Sequence, residues 1–145
     1  MKQITEDYCS FEIAKLLKEK GFDIPTENFY DNTGKNLKDM KTIYGGIPDF
    51  GEVNWNDNPF VSVGFPKFIT FSKPTQSLVL KWLREVHKLY IYAKPYWPQG
   101  DMRNKMSWQG FIVDLNTING DSQCYADSFE EAIENRIKFA LENLI

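Results

Sequence analysis

The sequence predicts an α+β protein: a two-layer sandwich with three helices packed on one face of an antiparallel sheet. Three observations lead there. Apolar residues recur at helical spacing in three separated stretches, near residues 10–20, 76–89 and 128–145. Between the second and third stretches, two segments alternate with the two-residue period of a strand, and the link joining them is too short for a crossover helix. No dinucleotide fingerprint, phosphate loop or internal repeat is present. Helices that are apolar on one side need a common surface to bury against, and an antiparallel sheet supplies one. With 145 residues, the chain is long enough for one domain, expected to span residues 1–145.

The first helix is expected from Ser10 to Lys20, with Phe11, Ile13, Ala14, Leu16 and Leu17 inward and Glu12, Lys15, Lys18 and Glu19 outward. Gly21 closes it in the left-handed conformation, and Phe22 folds back onto the last turn. From Pro25 to Pro59 glycines and asparagines punctuate scattered aromatics, so turns dominate; short strands are expected near Phe29–Tyr30 and Ile43–Tyr44. FVSVGF (60–65) and KFITF (67–71) read as one bulged strand or two short ones, with Pro66 favouring an edge or a bulge.

Ser72 or Thr75 caps the second helix, and Pro74 is tolerated at its start. Its stripe is Leu78, Val79, Trp82, Leu83, Val86 and Leu89, opposite Lys81, Arg84, Glu85 and Lys88. A strand over Leu89–Ala93, a loop over Pro95–Met106 and a strand over residues 108–115 follow; Asn119-Gly120 marks a turn, and Gln123–Ala126 forms one more short strand. The last helix opens on a capping box, Ser128-Phe129-Glu130-Glu131, with acidic residues at the positive end of its dipole.

Composition restricts function. The apolar fraction is 42%, far from the profile of a disordered chain. Seventeen basic against twenty acidic residues give a net charge of -3, so phosphates meet no general positive field and nucleic acid would need a local patch. The N-terminal stretch lacks the basic start and apolar run of a signal peptide, and no segment reaches the roughly 18 apolar residues of a membrane span. A cytoplasmic protein without membrane contact is expected. Cys9 and Cys124 are single and lack metal or redox spacing, so free thiols are expected.

The segments EDYCSFEIAKLLKEKGFD (6–23), PTQSLVLKWLREVHKLYI (74–91) and YADSFEEAIENRIKFALENLI (125–145) resemble small uncharacterised proteins from Bacteroidales genomes, often encoded beside phage or prophage genes. The resemblance covers the helices, about two fifths of the chain, and omits most of residues 24–73. It implies a small intracellular protein of phage origin and carries over no catalytic residue.

Candidate sites follow from residue type and setting. His87 lies in the last turn of the second helix, where the negative dipole end favours a protonated imidazole; that is a structural reason for it. A small hydrolase using His87, with Cys9 or Cys124 as nucleophile, is the least favoured reading. One histidine in the chain excludes a multi-imidazole zinc site within one subunit. Asp49, Glu52, Asp57 and Asp101 do not follow the calcium-loop pattern, so neither metal nor cofactor is assigned. Trp82 belongs to the core stripe. Trp55, Tyr96, Trp97 and Trp108 fall in or beside segments composed like exposed loops, and rigid aromatics there anchor binding surfaces. The competing structural explanation is that such rings cover the open face of the sheet, together with Tyr90 and Tyr92. Lys94, Arg103 and Lys105, in a region of mixed cations and rings from 81 to 105, fit single-stranded nucleic acid as the alternative. The leading expectation is a non-enzymatic module binding a protein partner or a second copy of itself; nucleic acid is disfavoured.

Overall fold

A computed structural model describes residues 4–37, 52–62, 64–65, 67–97 and 105–145. The chain is α+β, and its contacts divide it into two compact units, residues 8–74 and residues 1–7 with 75–145. The described strands form two three-stranded antiparallel sheets, one in each unit, rather than the single sheet expected. The first helix packs against the sheet of the first unit, and the packing of three helices on one face is not confirmed.

In the first unit, α1 (Phe11–Glu19) begins where the Ser10 hydroxyl accepts from the Ile13 amide. It ends as the sequence dictates: Gly21 takes φ 78° and the Phe22 amide returns to the Leu17 carbonyl at 2.9 Å. β1 (Phe29–Asp31) sits between β2 (Asn36–Leu37) and β3 (Thr70–Ser72). The β1–β2 turn is tied by Asp31, whose Oδ1 accepts from the Thr33 amide, the Thr33 hydroxyl and the Lys35 amide. Burial alone would raise the Asp31 pKa, but these donors outweigh it and hold it below the ordinary aspartate value. Gly34, at φ 84°, lies so close to Phe11 that an added Cβ would approach the ring at 2.8 Å.

FVSVGF does not form the expected strand. Asn58 turns left-handed at φ 51°, and Pro59 then starts a short helix, α2 (Pro59–Ser62), which buries Phe60 completely. Proline lacks the amide a strand would use but fits a first helical position. Of KFITF, only its last two residues join β3. The expected strand at Ile43–Tyr44 lies outside the described residues.

In the second unit, α3 (Gln76–Val86) is capped by Thr75, whose Oγ1 accepts from the Leu78 amide at 3.3 Å. It leads through His87 and a left-handed Lys88, φ 59°, into β4 (Leu89–Tyr96). β5 (Ser107–Asp114) is the central strand and β6 (Asn119–Ala126) the far edge. The β5–β6 turn falls at residues 115–118 rather than at Asn119-Gly120, because Asp114 Oδ1 accepts from the Asn116 amide at 2.8 Å and Ile118 takes φ 58°. α4 (Phe129–Asn143) starts with the serine half of the expected box, Ser128 Oγ accepting from the Glu131 amide, while Glu131 Oε2 accepts from the amide of Asp127, one residue before the cap, rather than from that of Ser128.

α3 and α4 pack on this sheet and on each other. Val79, Trp82 and Leu83 of α3 and Ala132, Ile133, Ile137, Ala140 and Leu141 of α4 are buried, with Leu89, Ile91 and Ile112 from the strands. Gly110 makes the close helix approach possible; a Cβ there would meet Arg136 Cγ at 2.7 Å and the Ala132 carbonyl oxygen at 3.0 Å.

Candidate functional site: an aromatic sheet face

The site follows from strand register. Tyr90 pairs with Val113, Tyr92 with Phe111, Lys94 with Gln109 and Gln109 with Tyr125. Alternation puts Leu89, Ile91, Gly110, Ile112 and Trp108 on the face beneath the helices. The other face carries Tyr90, Tyr92, Lys94 and Tyr96 from β4, Gln109, Phe111 and Val113 from β5, and Tyr125 from β6.

The rings on that face contact one another. Tyr92 stacks on Phe111 at 4.9 Å and 13°, Tyr90 on Tyr92 at 5.7 Å and 28°, and Tyr96 meets Tyr125 at 5.1 Å. Lys94 Nζ lies 4.9 Å over the Phe111 ring, and Gln109 Nε2 donates to the Tyr125 hydroxyl at 3.3 Å. Despite this packing, Tyr92 is 36% exposed and Tyr125 is 54% exposed. Trp97, immediately after β4, is 61% exposed. Side chains stand roughly perpendicular to a sheet, so mutually stacked rings turn edges and hydroxyls outward and keep their faces against each other.

β4 is an edge of its sheet. Lys88 accepts from the Leu115 amide at 2.8 Å, so alternation points the backbone groups of residues 90, 92, 94 and 96 toward β5. Pro95 thus falls where an amide would point out of the sheet, and its missing N–H costs no ladder bond.

The structure redistributes the residues that the sequence singled out. Tyr96 and Trp97 are exposed, with Tyr96 in a strand rather than a loop. Trp55 is no surface anchor. It is 2% exposed, stacked on Phe29 at 4.1 Å and on Phe60 at 6.1 Å, with its Nε1 donating to the Thr26 carbonyl at 2.7 Å. An indole so enclosed and hydrogen-bonded builds the core of the first unit. Trp108 is half-buried on the helix side, meeting Phe129 of α4 edge-on at 5.4 Å, and so is not on the open face.

The cations are dispersed. Lys94 joins the aromatic face, Lys105 pairs with Asp127 at 3.1 Å between two well-exposed side chains, and Arg103 lies outside the described residues. His87 caps α3, with its ring edge-on to Trp82 at 4.5 Å. Its Nε2 is buried and, among the described residues, has no hydrogen-bond partner. Burial lowers its pKa below the ordinary histidine value, opposing the helix dipole, which alone favours the cation. Cys9 is buried, and Cys124 Sγ, half-buried, donates to the Ala132 carbonyl at 3.6 Å.

Phe111 and Tyr125 went unmarked in the sequence because neither stands in a motif. Alternation in WQGFIVDL points Phe111 away from Ile112, and pairing with β4 then sets it against Tyr92. No known family model, curated protein or solved structure matches the chain, and what it does must be read from its own residues. Among the described residues, no helix is long and apolar enough to cross a membrane.

Proposed function

We propose that the protein is a non-enzymatic interaction module that docks a protein partner on the open face of the β4–β5–β6 sheet. One observation carries this reading: Tyr90, Tyr92 and Phe111 form one group of contacting rings and Tyr96 and Tyr125 a second, on the face opposite the one on which α3 and α4 pack. Aromatic residues with a polar tip are enriched at protein interfaces because they bury large area at small entropic cost and still satisfy a hydroxyl.

Size sets the strength. Three strands of eight residues give a face about 27 Å long and, with half a strand spacing on each side, about 14 Å wide. Its plan area of about 400 Å² matches the largest apolar patch of an ordinary monomer and is half of the roughly 800 Å² that each partner contributes to a stable interface. A weak, reversible complex is the form this face supports.

Single-stranded nucleic acid is the second reading, favoured by the tyrosines beside Lys94. Ring orientation argues against it. Bases stack on exposed ring faces, whereas Tyr92 and Phe111 spend theirs on each other, and Lys94 lies over Phe111. A triple variant, Tyr92→Ser, Tyr96→Ser and Tyr125→Ser, separates the readings when compared with the wild type in co-precipitation and in low-salt titration with a fluorescent oligothymidylate. The docking reading expects loss of a co-precipitated protein at an unchanged melting temperature, with no oligonucleotide binding by either form. Salt-sensitive oligonucleotide binding that the triple variant abolishes would transfer the face to the second reading.

A further inference from the structure

β4 ends its sheet with bonding capacity to spare. Since the backbone groups of residues 90, 92, 94 and 96 point toward β5, those of Leu89, Ile91, Ala93 and Pro95 point away from the sheet. Among the described residues, nothing bonds the outward N–H and C=O groups of Ile91 and Ala93. An open edge of this kind takes up a further extended strand.

The residues of β4 select a second copy of β4 as that strand. Two antiparallel copies related by a twofold axis meet in few registers, because outward groups must face outward groups. Centring the axis on Tyr92 sets Ile91 of each chain opposite Ala93 of the other, with N–H···O bonds exchanged both ways. Pro95 then lies opposite Leu89 at each end of the ladder, where its missing amide forfeits a terminal bond. On the open face Lys94 opposes Tyr90, a cation beside a ring, and Tyr92 opposes Tyr92, an aromatic pair. Moving the axis to Ile91 brings Lys94 against Lys88, and like charges directly opposite are destabilising. Moving it to Ala93 sets Pro95 opposite Ile91 and takes a bond from nearer the middle.

We infer that the protein forms a symmetric dimer through β4, which joins two three-stranded sheets edge to edge. Strands of one continuous sheet share its faces, so the two aromatic faces lie side by side. About 400 Å² becomes about 800 Å², the area each partner contributes to a stable interface. A single chain docks its partner weakly, and the dimer completes the surface. The pairing stands on the β4 backbone; its consequence for docking rests on the aromatic face being a docking surface.

Sedimentation velocity over a concentration series reads the dimer, and oxidation of introduced cysteines reads its register. The wild type should pass from the mass of one chain to that of two as concentration rises. Ala93→Pro, which removes an amide directed away from its own sheet, should move that transition to about tenfold higher concentration or beyond. In Tyr92→Cys two sulfurs meet at the axis, where Cα atoms of a non-hydrogen-bonded pair lie about 4.5 Å apart, within disulfide reach. This variant should give a cross-linked dimer on non-reducing gels. Tyr90→Cys, whose two copies stand four residues apart along the ladder, should stay at the wild-type background. A one-chain mass at about 1 mM would overturn the dimer and leave the edge to an extended segment of another protein. A dimer that Ala93→Pro leaves intact, or equal cross-linking from positions 90 and 92, would overturn pairing through β4. If Ala93→Pro fails to fold, the two cysteine variants still decide. An intact dimer that captures no partner on its rings would fault the docking face and leave the pairing standing.

Discussion

Replacing Trp55 by alanine tests whether the indole is structural. The side chain is 2% exposed, packs between Phe29 and Phe60 in a cluster that Val53 and Phe68 extend, and donates to the Thr26 carbonyl. Truncating a buried tryptophan costs about 3–5 kcal/mol from lost transfer free energy and the cavity left behind. The lost hydrogen bond adds little, because the Thr26 carbonyl keeps the Val53 amide as a donor at 3.3 Å and is not orphaned. Against a total stability of about 5–15 kcal/mol, a loss of about 4 kcal/mol leaves the first unit marginal. Trp97→Ala is the control: its ring is 61% exposed, so a change within about 0.5 kcal/mol is expected. Urea unfolding followed by far-ultraviolet circular dichroism reads both. A Trp55→Ala loss below about 1 kcal/mol, or an equal loss in Trp97→Ala, would refute the assignment of these two indoles.

Gly110→Ala should destabilise by about 1–3 kcal/mol in the same unfolding assay, since the new methyl meets Arg136 Cγ, Cys124 Sγ and the α4 backbone inside contact distance. Ile118→Asn should stabilise by about 1 kcal/mol in a thermal melt: a β-branched residue held at φ 58° is strained, asparagine tolerates that conformation, and an 85% exposed side chain gives up little packing. The lowered His87 pKa has a definite sign. The unfolded chain takes up this proton before the folded one, so the contribution is intact above the ordinary histidine value and is lost as pH falls toward the lower folded value. Stability measured stepwise from neutral to mildly acidic pH should decline in the wild type, with a shallower decline in His87→Phe over that window.

The helices were legible because their signals are local. Ser10, Thr75 and Ser128 announce the starts of α1, α3 and α4 by side-chain chemistry within three residues, and the apolar stripes repeat within each element. Trp55 was not legible. Its neighbours Phe29 and Phe60 come from separate segments, and nothing in VNWNDNPF marks the indole as enclosed. FVSVGF misleads through β-branched composition, which the backbone turn at Asn58-Pro59 overrides. Division into two sheets was hidden for a similar reason, since alternation identifies strands but not which strands pair. Of the candidate site, Tyr96 and Trp97 were found from local composition; Tyr90 and Tyr92 were visible as alternating residues. Their connection to Phe111 and Tyr125 exists only once register is fixed.

The docking face is tested most directly by placing the photo-crosslinker p-benzoylphenylalanine at position 92 or 125 and, as a control, at the exposed position 142 on α4. Irradiation in a lysate of the source organism should give a discrete protein adduct from positions 92 and 125, absent from 142 and lost when Tyr90 and Tyr96 are changed to serine. Adducts of equal yield from position 142, or none from the sheet positions, would contradict a partner seated on these rings.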